Sequence, residues 1–208
     1  MNEPVRRSPL ARSHAGLGAV PDREAGWELV AHYGDEPAER STLRDRVGLA
    51  DITARGKIDV RGSLDAALSA AGDALTGRIA DDWALVLSEP GGEEVLVAKL
   101  GSAAGPDAMV TDVTHLFVGF ALAGQGLPEV LARLTSWDPS SLGAGEATGA
   151  PIGDVRAVVV RRDLTPPVLE LYVATEFARY AWETVLDAVR RGGGAPVGWR
   201  ALRAEGWS

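Results

Sequence analysis

Apolar and polar positions alternate most clearly in "DITARGKIDVRG", residues 51–62, where Ile58 and Val60 stand against Lys57, Asp59 and Arg61. Period-2 patterning closed by a glycine predicts a strand with one buried face. Just before it, "EPAERSTLRDRV" predicts a short polar helix over 36–47. Just after it, Ser63 precedes the Ala/Leu-rich run to Leu75, which predicts a helix with a Ser N-cap. Residues 83–87 form an apolar strand, "SEPGGEE" a turn, and 94–100 a strand or short helix.

The pattern then recurs. "DVTHLFVGFALAG", residues 112–124, repeats the opening of "DITARGKIDVRG": an Asp, a β-branched residue and a Thr, closing in a strand and a Gly. Asp112 lies 61 residues beyond Asp51. A helix is expected over 127–134, "LPEVLARL", with Pro128 in the first turn, where its missing N–H costs little. Strands follow at 155–161 and 169–173. The last helix spans 176–191, with an apolar stripe of Phe177, Tyr180, Ala181, Val185 and Val189, and "RGGG" ends it. Strands and helices do not alternate strictly, which predicts an α+β fold of two pseudo-duplicated halves rather than a doubly wound parallel sheet.

This organisation divides the chain into a flexible N-terminal segment (1–25), two half-repeats (about 26–105 and 106–192) and a Gly- and Trp-containing tail (193–208). Residues 138–153, "DPSSLGAGEATGAPIG", read as a flexible connector inside the second half. Trp27, Trp83 and Trp182 fall in patterned segments and are expected in the core. Trp199 and Trp207 lie in the tail, which either docks on a partner or packs on its own domain, the latter slightly favoured.

Composition narrows the function. No apolar run approaches the length that spans a bilayer, and no apolar region follows the N-terminal arginines, so a cytoplasmic protein is expected. Cysteine is absent, which excludes a disulfide framework, a thiolate nucleophile and a Cys-ligated zinc. The net charge of −8 argues against a general nucleic-acid binder. The cations are 19 Arg and only two Lys, Lys57 and Lys99.

No P-loop, GxSxG or HExxH motif is present. His14, His32 and His115 lack metal spacing and are expected in structural or surface roles. Asp51 and Asp112 are expected to cap turns. Asp81 and Asp82, in "GRIADDWALVL", could share a raised pKa. Adjacent strand residues point to opposite faces, however, and a polar strand entry is the simpler reading. Glu170, in "VLELYV" beside Tyr172, either faces solvent or binds something in a pocket.

Several segments resemble a known family. "PLARSHAGLGAV", "GWELVAHYGDEPAE" and "LRDRVGLADITARGKIDVRG", about residues 9–62, resemble the N-terminal part of the folate-binding aminomethyltransferases, the T-protein of the glycine cleavage system. From Ala71 on, "RIADDWALVL", "VTDVTHLFVGFALAGQGLPEVLARLTSWDPSS" and "LELYVATEFARYAWETVLDA" resemble the sarcosine oxidase gamma subunit of the same superfamily. The resemblance implies two intertwined ferredoxin-like subdomains. It also implies a pterin site in which a late-strand Glu holds the ring and an Asp-Asp stretch orients the amine. Onto this chain it carries Glu170, with Tyr172, and Asp81 and Asp82 as candidate tetrahydrofolate-binding residues. No catalytic or metal-binding residue is assigned.

The sequence departs from the transferase pattern in three places. Gly77 lies only 15 positions beyond Gly62, without the Tyr-Thr…Leu-Asn strand of the transferases. "RDLTPPV" stands where they have Gly-Tyr-Thr-Gly-Glu. No counterpart of their C-terminal barrel is expected. The expected function is therefore a non-catalytic folate-domain-like subunit or accessory protein of a sarcosine or dimethylglycine oxidase-type or related one-carbon system, its protein partner a flavoprotein subunit or a second copy. The alternative is a stand-alone tetrahydrofolate-binding protein or minimal aminomethyltransferase.

Overall fold

The structure, a computed structural model, describes residues 4–143 and 145–207. The chain begins with β1 (Arg6–Arg7), α1 (Ala11–Gly16), β2 (Val20–Glu24), β3 (Trp27–His32) and α2 (Glu36–Asp45). It continues through β4 (Gly48–Asp51), β5 (Gly56–Gly62), α3 (Asp65–Ala71), β6 (Leu75–Ala80), β7 (Trp83–Ser88), α4 (Glu93–Ala103) and β8 (Ala108–Asp112). The second half holds β9 (Phe117–Ala123), α5 (Leu127–Leu134), β10 (Ala147–Ile152), β11 (Val155–Arg162), β12 (Val168–Ala174) and α6 (Ala178–Arg191). β13 (Ala195–Pro196) and α7 (Trp199–Ala204) follow.

The strands form three sheets. The largest has the order β10-β11-β12-β9-β4-β13, the second β6-β7-β5-β8, and a small one β1-β3-β2. β4 pairs with β9, and β8 pairs with β5, so each large sheet takes a strand from the far side of residues 105–106. The fold is thus mixed α+β with several sheets.

Strand parity sorts the core. Leu169, Leu171 and Val173 of β12 pack with Phe120 and Leu122 of β9 against α5 and α6, through Val130, Trp182, Val185 and Val189. Val168 and Tyr172, on the opposite face, pack with Leu85, Leu87, Trp199 and Trp207. Glu170 shares the parity of Val168 and Tyr172 and so points between the two large sheets. A third cluster closes β5 and β7 under α3 and α4 through Ile58, Val60, Leu96 and Leu100. The two sheets touch where β6 crosses β10, and a Cβ on Gly77 would fall 2.6 Å from that of Ala147.

Several expectations change. Residues 51–62 are not one strand: β4 and β5 lie in different sheets, because Asp51 accepts the Thr53 N–H and turns the chain out of the ladder. Ser63 does not cap α3, which starts after Leu64 without a side-chain cap; the Ser63 N–H goes to the Asp107 carbonyl. The ambiguous 94–100 stretch is the helix α4. The 138–153 connector contains the edge strand β10, paired along its whole length with β11. Where the composition of 1–25 suggests a flexible segment, residues 4–25 supply β1, α1 and β2, fixed by the burial of Leu10 and His14. On α6 the buried stripe passes through Ala178, Ala181, Trp182, Val185 and Val189, while Phe177 and Tyr180 are exposed.

Candidate functional site

Glu170 is completely buried. It sits on β12 opposite Val160 of β11 and Ala121 of β9, so neighbours on both sides hold its backbone. Burial alone would raise its carboxyl. The Arg55 and Arg162 guanidiniums, with a hydrogen bond from Tyr172, instead hold it below the usual carboxylate range.

Four donors converge on this carboxylate. Oε1 accepts from Arg55 Nη1 at 2.9 Å, from Arg162 Nη1 at 3.0 Å and from the Trp207 indole Nε1 at 3.2 Å. Oε2 accepts from the Tyr172 hydroxyl. Burial, and then the Glu170 charge, push the Tyr172 phenol well above its ordinary value, so it stays a neutral donor. A carboxylate offers about two acceptor positions on each oxygen; among the described residues Oε1 receives three donors and Oε2 one. With Trp207 in place the residues therefore do not fit a pterin: the indole N–H already occupies the carboxylate beside both guanidiniums.

Each donor arrives on a different element. Arg55 closes the turn between β4 and β5, Arg162 ends β11, Tyr172 follows Glu170 by one pleat, and Trp207 lies beyond α7. The Arg55 and Arg162 guanidinium carbons lie 5.0 and 5.4 Å from the centre of the Trp207 ring. Trp199 meets Trp207 edge-on, with centroids 5.0 Å apart. The tail thus packs on its own domain, and both of its tryptophans are buried.

Asp81 and Asp82 sit elsewhere. They form the exposed two-residue turn of the β6–β7 hairpin. Their carbonyls accept from Arg78 Nη2 and from the Gly62 N–H. Trp83 beside them is half-buried, donating to Asp59 at 2.7 Å beneath the Arg61 guanidinium. Of the four candidate residues, the structure joins Glu170 and Tyr172 by direct contact. The contacts of Asp81 and Asp82 are with the hairpin's own sheet.

A second buried polar group adjoins the tail. His14 Nε2 lies 2.7 Å from Asp51 Oδ2, and His14 Nδ1 lies 2.8 Å from the Tyr33 hydroxyl. His14 and Asp51 border a cavity of about 110 Å³, lined also by Trp27 and Trp199. His115 stacks on Trp27, and His32 Nδ1 accepts the Gly34 N–H. Among the described residues no cluster of His, Cys, Asp and Glu could hold a metal ion, and no helix is long and apolar enough to cross a membrane.

Sequence reasoning missed Arg55, Arg162 and Trp207 as partners of Glu170. Arg55 follows the Asp-x-Thr turn directly, which fixes its place once that turn is known. Nothing local marks Arg162 or Trp207, 8 and 37 residues from Glu170.

Comparison with known proteins gives consistent results. The profile of the sarcosine oxidase, gamma subunit family matches residues 56–191. An aminomethyltransferase of Streptomyces coelicolor is 29% identical, over 93% of this chain and 60% of its own length. One from Geobacillus kaustophilus is 28% identical, over 93% and 61%. The chain thus spans about three fifths of the curated relatives it matches. Among solved structures, the glycine cleavage system aminomethyltransferase T of Bartonella henselae superposes with a TM-score of 0.81 at 22% identity, over 97% of this chain and 62% of that one. A chain of the heterotetrameric sarcosine oxidase of Corynebacterium sp. U-96 gives a TM-score of 0.65 at 17% identity, over 91% and 97%.

Proposed function

The chain belongs to the sarcosine oxidase, gamma subunit family, and on that premise we propose that it is a non-catalytic, folate-domain-like subunit or accessory protein. Its setting is a sarcosine or dimethylglycine oxidase-type complex, or a related one-carbon system, in which partner chains carry the flavin and folate chemistry. The observation that carries this reading is the engagement of the buried Glu170 by the chain's own Arg55, Arg162, Tyr172 and Trp207. A folate-type site is kept in outline, with its central carboxylate engaged by the chain itself. The halves about 26–105 and 106–192 are read as two intertwined ferredoxin-like repeats, supported by the strand exchange of β4 and β8. The test is co-expression with the flavoprotein subunits of a sarcosine oxidase-type complex. Co-elution as one complex in size-exclusion chromatography is expected, and elution as a lone monomer overturns the reading.

A second reading is a stand-alone tetrahydrofolate-binding protein or minimal aminomethyltransferase. Glu170 and Tyr172 would hold the pterin, and Asp81 or Asp82 the amine. It draws support from a buried carboxylate retained between two guanidiniums. It requires heat on titrating the unaltered chain with sub-millimolar tetrahydrofolate, and the absence of heat sinks it.

A further inference from the structure

The tail is fastened in two unlike ways. At its base, Gly198 lies so close to β3 that a Cβ there would meet the Ala31 carbonyl at 2.1 Å. The Trp199 indole donates to the Asp51 carbonyl at 2.8 Å and is buried. Beyond this anchor Ala201 and Leu202 are buried too, and the side chains around them are fastened by surface ion pairs. Arg203 makes two bonds of 2.7 Å to Glu24, Arg200 reaches Asp22 at 3.0 Å, and Glu205 receives Arg44 and Arg40. Such pairs are weak individually and screened by salt. Past them Trp207 is again buried, with its N–H on the Glu170 carboxylate.

We infer that Trp207 is a displaceable occupant of the Glu170 site, and that the segment from Arg203 to Trp207 lifts from its Trp199 anchor to admit a planar, bicyclic nitrogen heterocycle. The inference rests on the reading of Glu170 as a folate-type site and names what controls it. An indole is flat, bicyclic and carries one N–H donor. A reduced pterin is flat and bicyclic and turns an amide N–H and an exocyclic amine toward a carboxylate. Exchanging one ring for the other preserves the N–H to carboxylate bond. It also preserves the stacking that the Arg55 and Arg162 guanidiniums give to an aromatic plane. The remaining donors stay in place during the exchange, because Arg55, Arg162 and Tyr172 belong to the sheets and their turns and not to the tail. The cost of opening is the burial of one tryptophan and a few screened ion pairs, so a partner chain that draws Arg200, Arg203 or Glu205 onto itself would open the site.

The experiment titrates 5-formyltetrahydrofolate into the full chain, Trp207→Ala and Trp207→Phe, with calorimetry and hydrogen–deuterium exchange over residues 199–207. Circular dichroism first establishes that each variant is folded. The expected result is no measurable binding to the unaltered chain below 1 mM and at least tenfold tighter binding to Trp207→Ala. Trp207→Phe, which keeps the ring and loses the N–H, should fall between them and decides the matter if Trp207→Ala does not fold. Equal binding by all three, with exchange over 199–207 unchanged by ligand, overturns the displaceable tail and leaves a folate site standing. Silence from the folded variants overturns both the tail inference and the folate-type reading beneath it.

Discussion

Thr53 and Thr114 hold each other's half of the chain. The Thr53 hydroxyl accepts the backbone N–H of Gly119, at the start of β9, at 3.2 Å. The Thr114 hydroxyl accepts that of Lys57, at the start of β5, at 3.0 Å. The bonds around them match as well. Asp51 accepts the Thr53 N–H and Asp112 the Thr114 N–H, each at 2.8 Å. Ile52 donates to the Gly119 carbonyl and Val113 to that of Lys57. Replacing either Thr by Val keeps the shape and leaves a buried N–H without its acceptor. Each variant should lose about 1–3 kcal/mol, read by urea denaturation. A loss below a few tenths for both would show that these turns do not lock the halves.

Lys57 spans both turns, donating its ammonium to the Thr53 carbonyl at 2.7 Å and the Thr114 carbonyl at 3.1 Å. Burial lowers its pKa to about 7, against the opposing pull of Asp51, Asp112 and Glu93. The folded chain therefore binds fewer protons than the unfolded chain between about pH 7 and 10. Stability must rise with pH across that window, by at most about 1.4 kcal/mol per unit. Lys57→Met should flatten this rise. Denaturation at pH 7, 8 and 9 checks it, and an unchanged slope in the variant would refute the assignment.

These turns also mark how far the sequence could be read. The Asp-x-Thr recurrence at Asp51 and Asp112 was visible, and so was the capping role of both aspartates, because an Asp two residues before an N–H is a local device. That the turns bond reciprocally across the two halves was not visible, since no local pattern encodes which strand lies opposite. Glu170 stood out as the one charge in an apolar strand, and parity with Val168 and Tyr172 explains its burial. Its partners did not stand out, because Arg55, Arg162 and Trp207 reach it only after three separate elements have packed. The strands β2, β6 and β8 were missed because their faces are only partly buried, which blurs the alternation; β3 was missed although Trp27, Leu29 and Ala31 alternate with Glu28, Val30 and His32. Two members of the expected α6 stripe are misassigned: Phe177 precedes the helix and Tyr180 is exposed, while Ala178 and Trp182 take buried positions.

Glu170 is the hub of the buried charge cluster, and its removal should be costly. Glu170→Ala takes from buried Arg55 its buried partner and leaves it the exposed Glu89 carboxylate at 3.5 Å, which is expected to destabilise by about 3–5 kcal/mol. Glu170→Gln keeps an acceptor for Tyr172 or Trp207 and should cost less. Thermal unfolding of both variants checks the order, and equal melting temperatures for Glu170→Ala and the unaltered chain would refute the hub.

Burial of tryptophan, not ion pairing, fastens the base of the tail. Trp199→Ala should cost about 3–5 kcal/mol through the cavity it leaves. Arg203→Ala removes the pairs with Glu24 and a guanidinium 4.9 Å above the Trp199 ring, and should cost no more than about 1 kcal/mol. The Arg203 effect should vanish in 1 M salt and the Trp199 effect should persist. The reverse ranking would mean that the surface pairs hold the tail.

Acid should release the same region. Asp51 is buried, which would raise its carboxyl, yet hydrogen bonds from His14, Ser8 and Thr53 bring it below the usual range. Glu170 is likewise lowered, and Glu205 falls to about 2, chiefly through its hydrogen bond with Arg44. All three are lower folded than unfolded. Their stabilisation is therefore complete above the usual carboxylate range near pH 4 and is lost as pH falls toward 2. Hydrogen–deuterium exchange between pH 5 and 2.5, corrected for intrinsic rates, should show weakening protection over residues 199–207. Glu205→Gln should weaken it at pH 5 already and reduce its further dependence on acid. Uniform protection of the tail down to pH 2.5 would show that these carboxylates do not hold it.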